Sequence, residues 1–441
     1  MPTQFDPPSG TRDFLASDWE FRESAFGRIR SVFARYGFEP LVTPSFERLD
    51  VLLGKYGDDG DKLIFKILRR GEHEETGEAD LALRYDHTVP LARVAAAYGS
   101  QLPTPYKRYA IGPVWRADRP GRGRYREFTQ CDLDTLGSTS VMADAEVVLA
   151  AHDALAELGL TGFRFLINSR HVLAGLLEGF GVPAELGPSV LITLDKLDKL
   201  TPAEVSAELA ERDLPDDTAA ALVGALTGPV EQVRDALKAS EEGAAGIEEV
   251  DELLSLLAGQ VPAGRMVFTP RLVRGLSYYT GPIWEIVADG IPGSLAGGGR
   301  YDHLIEQLGG PDVPATGGAL GVERILMALP DHDRAHSRLD VAVTVMDERY
   351  AARSFSFAAA ARAAGLRASV YLGSSGKLGS QLKWASRTGA RWALIYGSAE
   401  DEANTVTVRD MTSGEQAAVP VSELTSYLAG LADAAGLPGP S

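Results

Sequence analysis

The residues whose types and spacing could do chemistry fall into a few short clusters. The densest is 107–126, where Lys107, Arg108, Arg116, Arg119, Arg122, Arg124 and Arg126 face Asp118 alone, a net +6 in a chain whose formal charge is −18. Arg124 and Arg126 alternate. On a strand they would share a face, which suits two fork contacts to an anion. Gln130, Asp132 and Asp134 follow at spacing two, placing an amide and two carboxylates on one face. Such a face could hold a zwitterion beside a phosphate. The plainer reading is a solvated hairpin enriched in arginine.

A second cluster, Arg274-Gly275-Leu276-Ser277-Tyr278-Tyr279-Thr280-Gly281, joins an arginine to paired tyrosines beside glycine, fit for reading a polar ring. Alone, it reads equally as a core tyrosine pair with an exposed arginine. Gly297–Asp302 reads as a three-glycine turn, and Thr316–Arg324 as a glycine-rich approach into a helix. Neither has phosphate-loop or dinucleotide-fold spacing. Arg324 could reach a phosphate or form a surface pair. Arg84-Tyr85-Asp86-His87-Thr88 ends a strand, and its carboxylate and hydroxyl could cap the next helix or bind an ammonium group. The seven histidines lack metal-ligand spacing and Cys131 is the lone cysteine, so no protein-built metal centre is expected. No nucleophile elbow is present.

Around these clusters the pattern predicts a helix over 18–36, an extended run over 38–44, and strands at 62–68, 81–84 and 283–287. Residues 104–135 read as a long-looped hairpin. From 171 to 262 the chain turns Leu/Ala/Glu-rich, with 18 acids against 5 bases, or −13. This is the pattern of an inserted helical domain. From 338 onward strands and helices alternate, with ten bases and ten acids over 337–441, as in a small α/β domain. The expected layout is 1–170 and 263–334 as two parts of one domain, 171–262 as an insertion, and 338–435 as a terminal domain.

At 441 residues the chain exceeds one compact core, and its mean hydropathy of −0.06 is that of an ordinary soluble protein. The negative charge argues against a surface that traps nucleic acid everywhere, without excluding a local basic site. One cysteine suits a reducing compartment, and the N-terminus carries no signal-peptide pattern, so a cytoplasmic location is expected. No apolar run is long enough to span a membrane.

Taken together, the clusters resemble the histidyl-tRNA synthetases, within the class II aminoacyl-tRNA synthetases. Gly10-Thr11-Arg12-Asp13-Phe14 and the helix–strand unit ending at Pro44 resemble the family's start and motif 1. Arg116–Asp134 resembles motif 2, Arg274–Gly281 the histidine signature, Gly297–Asp302 a second signature, and Gly318–Arg324 motif 3. Gly376–Gly379 and Val406–Gln416 resemble the anticodon-binding domain. The resemblance implies an α+β fold: an antiparallel-sheet catalytic domain with a helical insertion, plus a small α/β anticodon-binding domain. It implies a homodimer that uses ATP and Mg²⁺ to activate L-histidine and charges tRNA(His). Asp86, Thr88 and Gln130 would then hold the ammonium group. Asp134 and Tyr279 would read the imidazole, with Tyr278 nearby. Arg116 and Arg274 would be catalytic, on the α-phosphate and the histidine carboxylate. Arg116, Arg124, Phe128 and Arg324 would bind ATP. Ser277 stands where the family usually has aspartate, and His87 where glycine or leucine is common. The alternative is a histidine-sensing regulatory subunit of an ATP phosphoribosyltransferase.

Overall fold

The structure is a computed structural model that describes residues 5–71, 76–238, 240–273, 278–329 and 339–434. The chain divides into two compact units, Met1–Asp333 and Arg334–Ser441.

The first unit is built on an eight-stranded sheet. Its order is Glu39–Pro40, Tyr106–Trp115, Glu127–Leu136, Ala315–Gly321, Ala296–Arg300, Pro282–Ala288, Phe163–Ser169 and Met266–Phe268. The six central strands pair antiparallel, and one short strand runs parallel along each edge. The helix Ala16–Arg35 follows the predicted periodicity, and its Phe21, Ile29, Val32 and Phe33 are buried in the core beneath the sheet. The predicted hairpin is also present, with ten-residue arms. A smaller sheet, Phe46–Arg48, Ala79–Leu83 and Lys66–Leu68, delivers Arg84–His87 to the start of the helix Thr88–Tyr98. Here 62–68 forms a strand only at its end, and 38–44 only at Glu39–Pro40.

Between the neighbouring parallel strands Phe163–Ser169 and Met266–Phe268 lie six α-helices, from Arg170–Gly179 to Glu241–Leu257. Side chains cap several of them: Ser169, Ser240, and Thr201 in a reciprocal box with Glu204. These helices share a continuous core with the sheet.

The second unit has a five-stranded sheet in the order Ala368–Val370, Val341–Val343, Trp392–Ile395, Thr405–Asp410 and Gln416–Pro420. The first three strands are parallel, which requires the crossover helices Ala351–Ala363 and Leu378–Arg387. Among the described residues no helix is long and apolar enough to cross a membrane.

Candidate active site

Strand Glu127–Leu136 is the spine of the site. Its register sets Gln130 between Gly112 and Gly321, Asp132 between Ala110 and Ala319, and Asp134 between Arg108 and Gly317. The polar row therefore stands on a floor of mostly small residues. The glycine clusters read above as turns are strands instead, Ala296–Arg300 and Ala315–Gly321. Steric demand from both faces explains them. A Cβ on Gly317 would lie 2.0 Å from Asp134 Oδ1, and one on Gly318 would lie 2.2 Å from the Trp284 ring on the opposite face.

Asp134 is 1% exposed and accepts a hydrogen bond from the Tyr301 hydroxyl. Arg108 Nη2 lies 2.8 Å from Asp134 Oδ2 and donates to the His87 carbonyl at 3.1 Å. Burial pushes the Asp134 carboxyl above the usual aspartate range, opposed by Arg108 and Tyr301. Tyr301 packs edge-on against Tyr278 at 5.8 Å, and Tyr278 against Tyr279 at 5.1 Å. Arg300 anchors this corner by donating to the Ser138 and Ser140 carbonyls while pairing with buried Asp144. Tyr278 belongs to the core cluster that also holds Tyr301, as the plainer of its two readings expects.

The two oxygens of Asp86 are placed differently. Oδ1 accepts from the Val89 N–H and the Tyr56 hydroxyl, each at 3.1 Å. Oδ2 is buried with no hydrogen-bond partner among the described residues. Burial raises this carboxyl too. His87 is held neutral, its imidazole lowered to about 3 by burial and by Arg84 and Arg108. Arg116 donates to the Tyr85 carbonyl at 3.2 Å and to Gln130 Oε1 at 3.4 Å. Its guanidinium lies 4.2 Å from the Tyr85 ring centre and 5.2 Å from that of Phe128. Asp86, Arg116, Phe128, Gln130 and Tyr85 thus converge, with Thr88 in the first turn beside them.

The arginine fork does not form. Residues 121–124 make a turn rather than a strand, with Gly123 at a φ of 70°. Arg124 pairs with Asp118 at 2.7 Å, while Arg126 donates to the Asp118 and Ser9 carbonyls. Arg324 donates to the Ser294 carbonyl at 2.8 Å and lies alongside Gly123 and Gly293. Arg274 and Ser277 lie outside the described residues. Exposed His303, Glu306 and Asp312 bring possible ligand atoms within 4.8 Å of one another, a grouping the histidine spacing does not reveal.

Sequence reasoning missed a second buried network. Glu323 accepts two bonds from Arg22, at 2.8 and 3.0 Å, another from Arg12, and the Thr129 N–H at 3.3 Å. Burial pushes its carboxyl up, but the hydrogen bonds and charges of Arg22 and Arg12 together outweigh that and hold it below the usual range. The guanidinium of Arg12 also stacks 3.5 Å from the Tyr125 ring centre. Arg12 and Glu323 each sit in a noted motif, yet no local pattern links residues 311 apart.

The family model described as "Histidyl-tRNA synthetase" matches residues 10–325, and that of "Anticodon binding domain" matches 340–431. This chain belongs to the histidyl-tRNA synthetase family. It is 40% identical to the histidine–tRNA ligase of Gloeobacter violaceus, covering 96% of this chain and 97% of that one. It is 39% identical to that of Aeropyrum pernix, covering 95% and 96%. Histidyl-tRNA synthetase from Nostoc superposes with a TM-score of 0.77 at 28% identity, over 97% of this chain and 99% of that one. The antiparallel catalytic sheet and the terminal α/β domain are those of the histidyl-tRNA synthetase fold.

Proposed function

We propose that this protein activates L-histidine with ATP and transfers the histidyl group to tRNA(His). The observation that carries the reading is the single row Gln130, Asp132, Asp134. It joins the Tyr301–Asp134–Arg108 group to the Asp86–Arg116 group on one floor.

In this reading Asp134 accepts an N–H from one imidazole nitrogen and Tyr279 bonds the other, with Tyr278 walling the ring. A site that bonds both nitrogens rejects isosteres lacking them by about 10⁴-fold. Asp86, Thr88 and Gln130 hold the ammonium group. The histidine carboxylate then attacks the α-phosphorus in line, the bond to pyrophosphate breaks, and histidyl-adenylate forms. Two anions must meet, so Arg116 and Arg274, preorganised on phosphate and carboxylate, offset their repulsion. Phe128 stacks on adenine, and Arg124 and Arg324 hold the remaining phosphates. Arg124 would exchange its Asp118 partner for phosphate. A terminal hydroxyl of the tRNA next attacks the acyl carbonyl and AMP leaves.

Mg²⁺ would accompany ATP, and Glu285, buried on the same face as Gly297, would offer it a hard oxygen ligand. The ion would add positive charge to the phosphates. Residues 171–262 would form an insertion with little contact to tRNA, because their net charge of −13 repels phosphate. A homodimer and a cytoplasmic location belong to the same reading.

The second reading, a histidine-sensing regulatory subunit, is favoured less because residues 340–431 match an anticodon-binding domain. Histidine-dependent ATP–pyrophosphate exchange tests the choice. Exchange is expected with histidine alone among the amino acids. Histidine binding without exchange would support the sensor.

A further inference from the structure

Asp132 is the one member of the polar row to which the proposed chemistry gives no task. It is 1% exposed, and neither carboxylate oxygen has a hydrogen-bond partner among the described residues. A buried carboxylate left in that state costs several kcal/mol unless it is neutralised or paired. The strand register aims it onto the site floor, between Gln130 and Asp134, with only Ala110 and Ala319 beside it. The charges that reach it are Arg108, Arg116, Asp134 and Asp86, all groups of the site, and Arg84, whose guanidinium donates to the Pro113, Thr43 and Pro44 carbonyls.

Matching donors to acceptors points to the missing partner. Arg108 already has Asp134 at 2.8 Å. Arg116, beside Tyr85, Phe128 and Gln130, is the residue assigned above to the α-phosphate. That leaves Asp86 Oδ2 and both oxygens of Asp132 as acceptors with no donor. A primary ammonium brings three N–H donors and one positive charge. Gln130 Oε1, two positions along the same strand, supplies a further acceptor.

We propose that Asp132 is a substrate-binding residue, which with Asp86 and Gln130 forms a buried three-acceptor cradle for the α-ammonium group of the amino acid. The assignment rests on histidine being the substrate. It adds a carboxylate to the ammonium subsite. A bland competitor exists, because Arg108 Nε and Nη1 are also buried without partners. In that case Asp132 would serve Arg108 and, through Asp134, the imidazole subsite. The two roles differ in which part of histidine feels the loss.

The test is Asp132→Asn in the full-length protein, with three readouts. The first is the KM for histidine in ATP–pyrophosphate exchange. The second is inhibition by histidinol, which keeps the ammonium and imidazole. The third is inhibition by imidazolepropionate, which keeps the ring and carboxylate but lacks the ammonium. The cradle predicts that KM and the histidinol inhibition constant rise about 30- to 100-fold, as for loss of a charged hydrogen bond. Imidazolepropionate should change less than about threefold. Equal weakening of both inhibitors would overturn the assignment in favour of support for Arg108, and an unchanged histidine KM would overturn it outright. Asp132→Ala, checked for an intact melting transition, guards against the asparagine amide finding new partners, and the same contrast between inhibitors is expected. Absence of exchange in the unaltered protein would instead remove the histidine-activation reading.

Discussion

Two buried carboxylate sites meet along the strand Glu127–Leu136, where Thr129 bonds Glu323 and Asp132 lies three residues on, and they behave in opposite ways. Glu323 is enclosed by donors that belong to the protein, Arg22, Arg12 and the Thr129 N–H, and its carboxyl is held below the usual range. Asp132 and Asp86 keep unmet oxygens, and burial drives both carboxyls upward. A buried charge whose donors are all internal is framework. A buried charge without a donor marks where a ligand must supply one. Glu323 ties the N-terminal segment and the first helix to the strand carrying Phe128 and Gln130, whereas Asp132 on that strand and Asp86 near it face the side that the proposed function gives to histidine.

The largest effect should come from breaking the satisfied site. Glu323→Ala leaves Arg22 buried and unpaired, so urea unfolding should show a loss of about 3–5 kcal/mol. A loss below 1 kcal/mol would show that the network is not framework. Arg116→Ala lies on the other side of the comparison. Among the described residues its hydrogen-bond acceptors are carbonyl and amide oxygens at 3.2 and 3.4 Å, so stability should barely change. Exchange should fall by about 10²- to 10³-fold, as for loss of one preorganised donor in a transition state. A matching loss of stability would move Arg116 into the framework class. Tyr301→Phe should be milder. Asp134 keeps Arg108, so about 1 kcal/mol of stability is expected to go. The KM for histidine should rise several-fold, and an unchanged KM would detach Tyr301 from imidazole recognition.

The smallest effect is in pH dependence, and the two sites have opposite signs. Glu323 has a lowered native pKa, so its stabilisation is present above the unfolded glutamate value and is lost as pH falls through the native one. Asp132 has a raised native pKa. The ligand-free protein should therefore lose stability as pH rises from the unfolded aspartate value through the native one. Asp132→Asn should reduce the second slope, to which Asp86 and Asp134 also contribute, and leave the first.

Much of the fold was legible because it rests on local pattern. The period of Ala25, Ile29 and Val32 and the stop at Gly37 specify the first helix. The β-rich arms specify the hairpin, and alternation specifies the terminal α/β unit. The glycine strands were not legible. Glycine at 298, 317 and 318 answers to Trp284, Asp134 and a neighbouring strand, all distant in sequence, and alone it reads as a turn. The sequence names candidate residues, several of which the structure brings together, but it does not reveal their contacts. Arg108 looked like part of a basic surface but is fully buried against Asp134, while Arg124 and Arg126 turn to Asp118. Glu323 with Arg12 and Arg22, and Tyr56 on Asp86, depend on tertiary proximity that no short motif encodes.

The most direct test of the division between framework and ligand-facing charge is a paired urea unfolding of ligand-free Asp132→Asn and Glu323→Gln near neutral pH. Opposite signs are expected. Asp132→Asn should gain on the order of 1–3 kcal/mol by removing an uncompensated buried carboxyl, and Glu323→Gln should lose a comparable amount or more. Destabilisation of both variants alike would contradict the account.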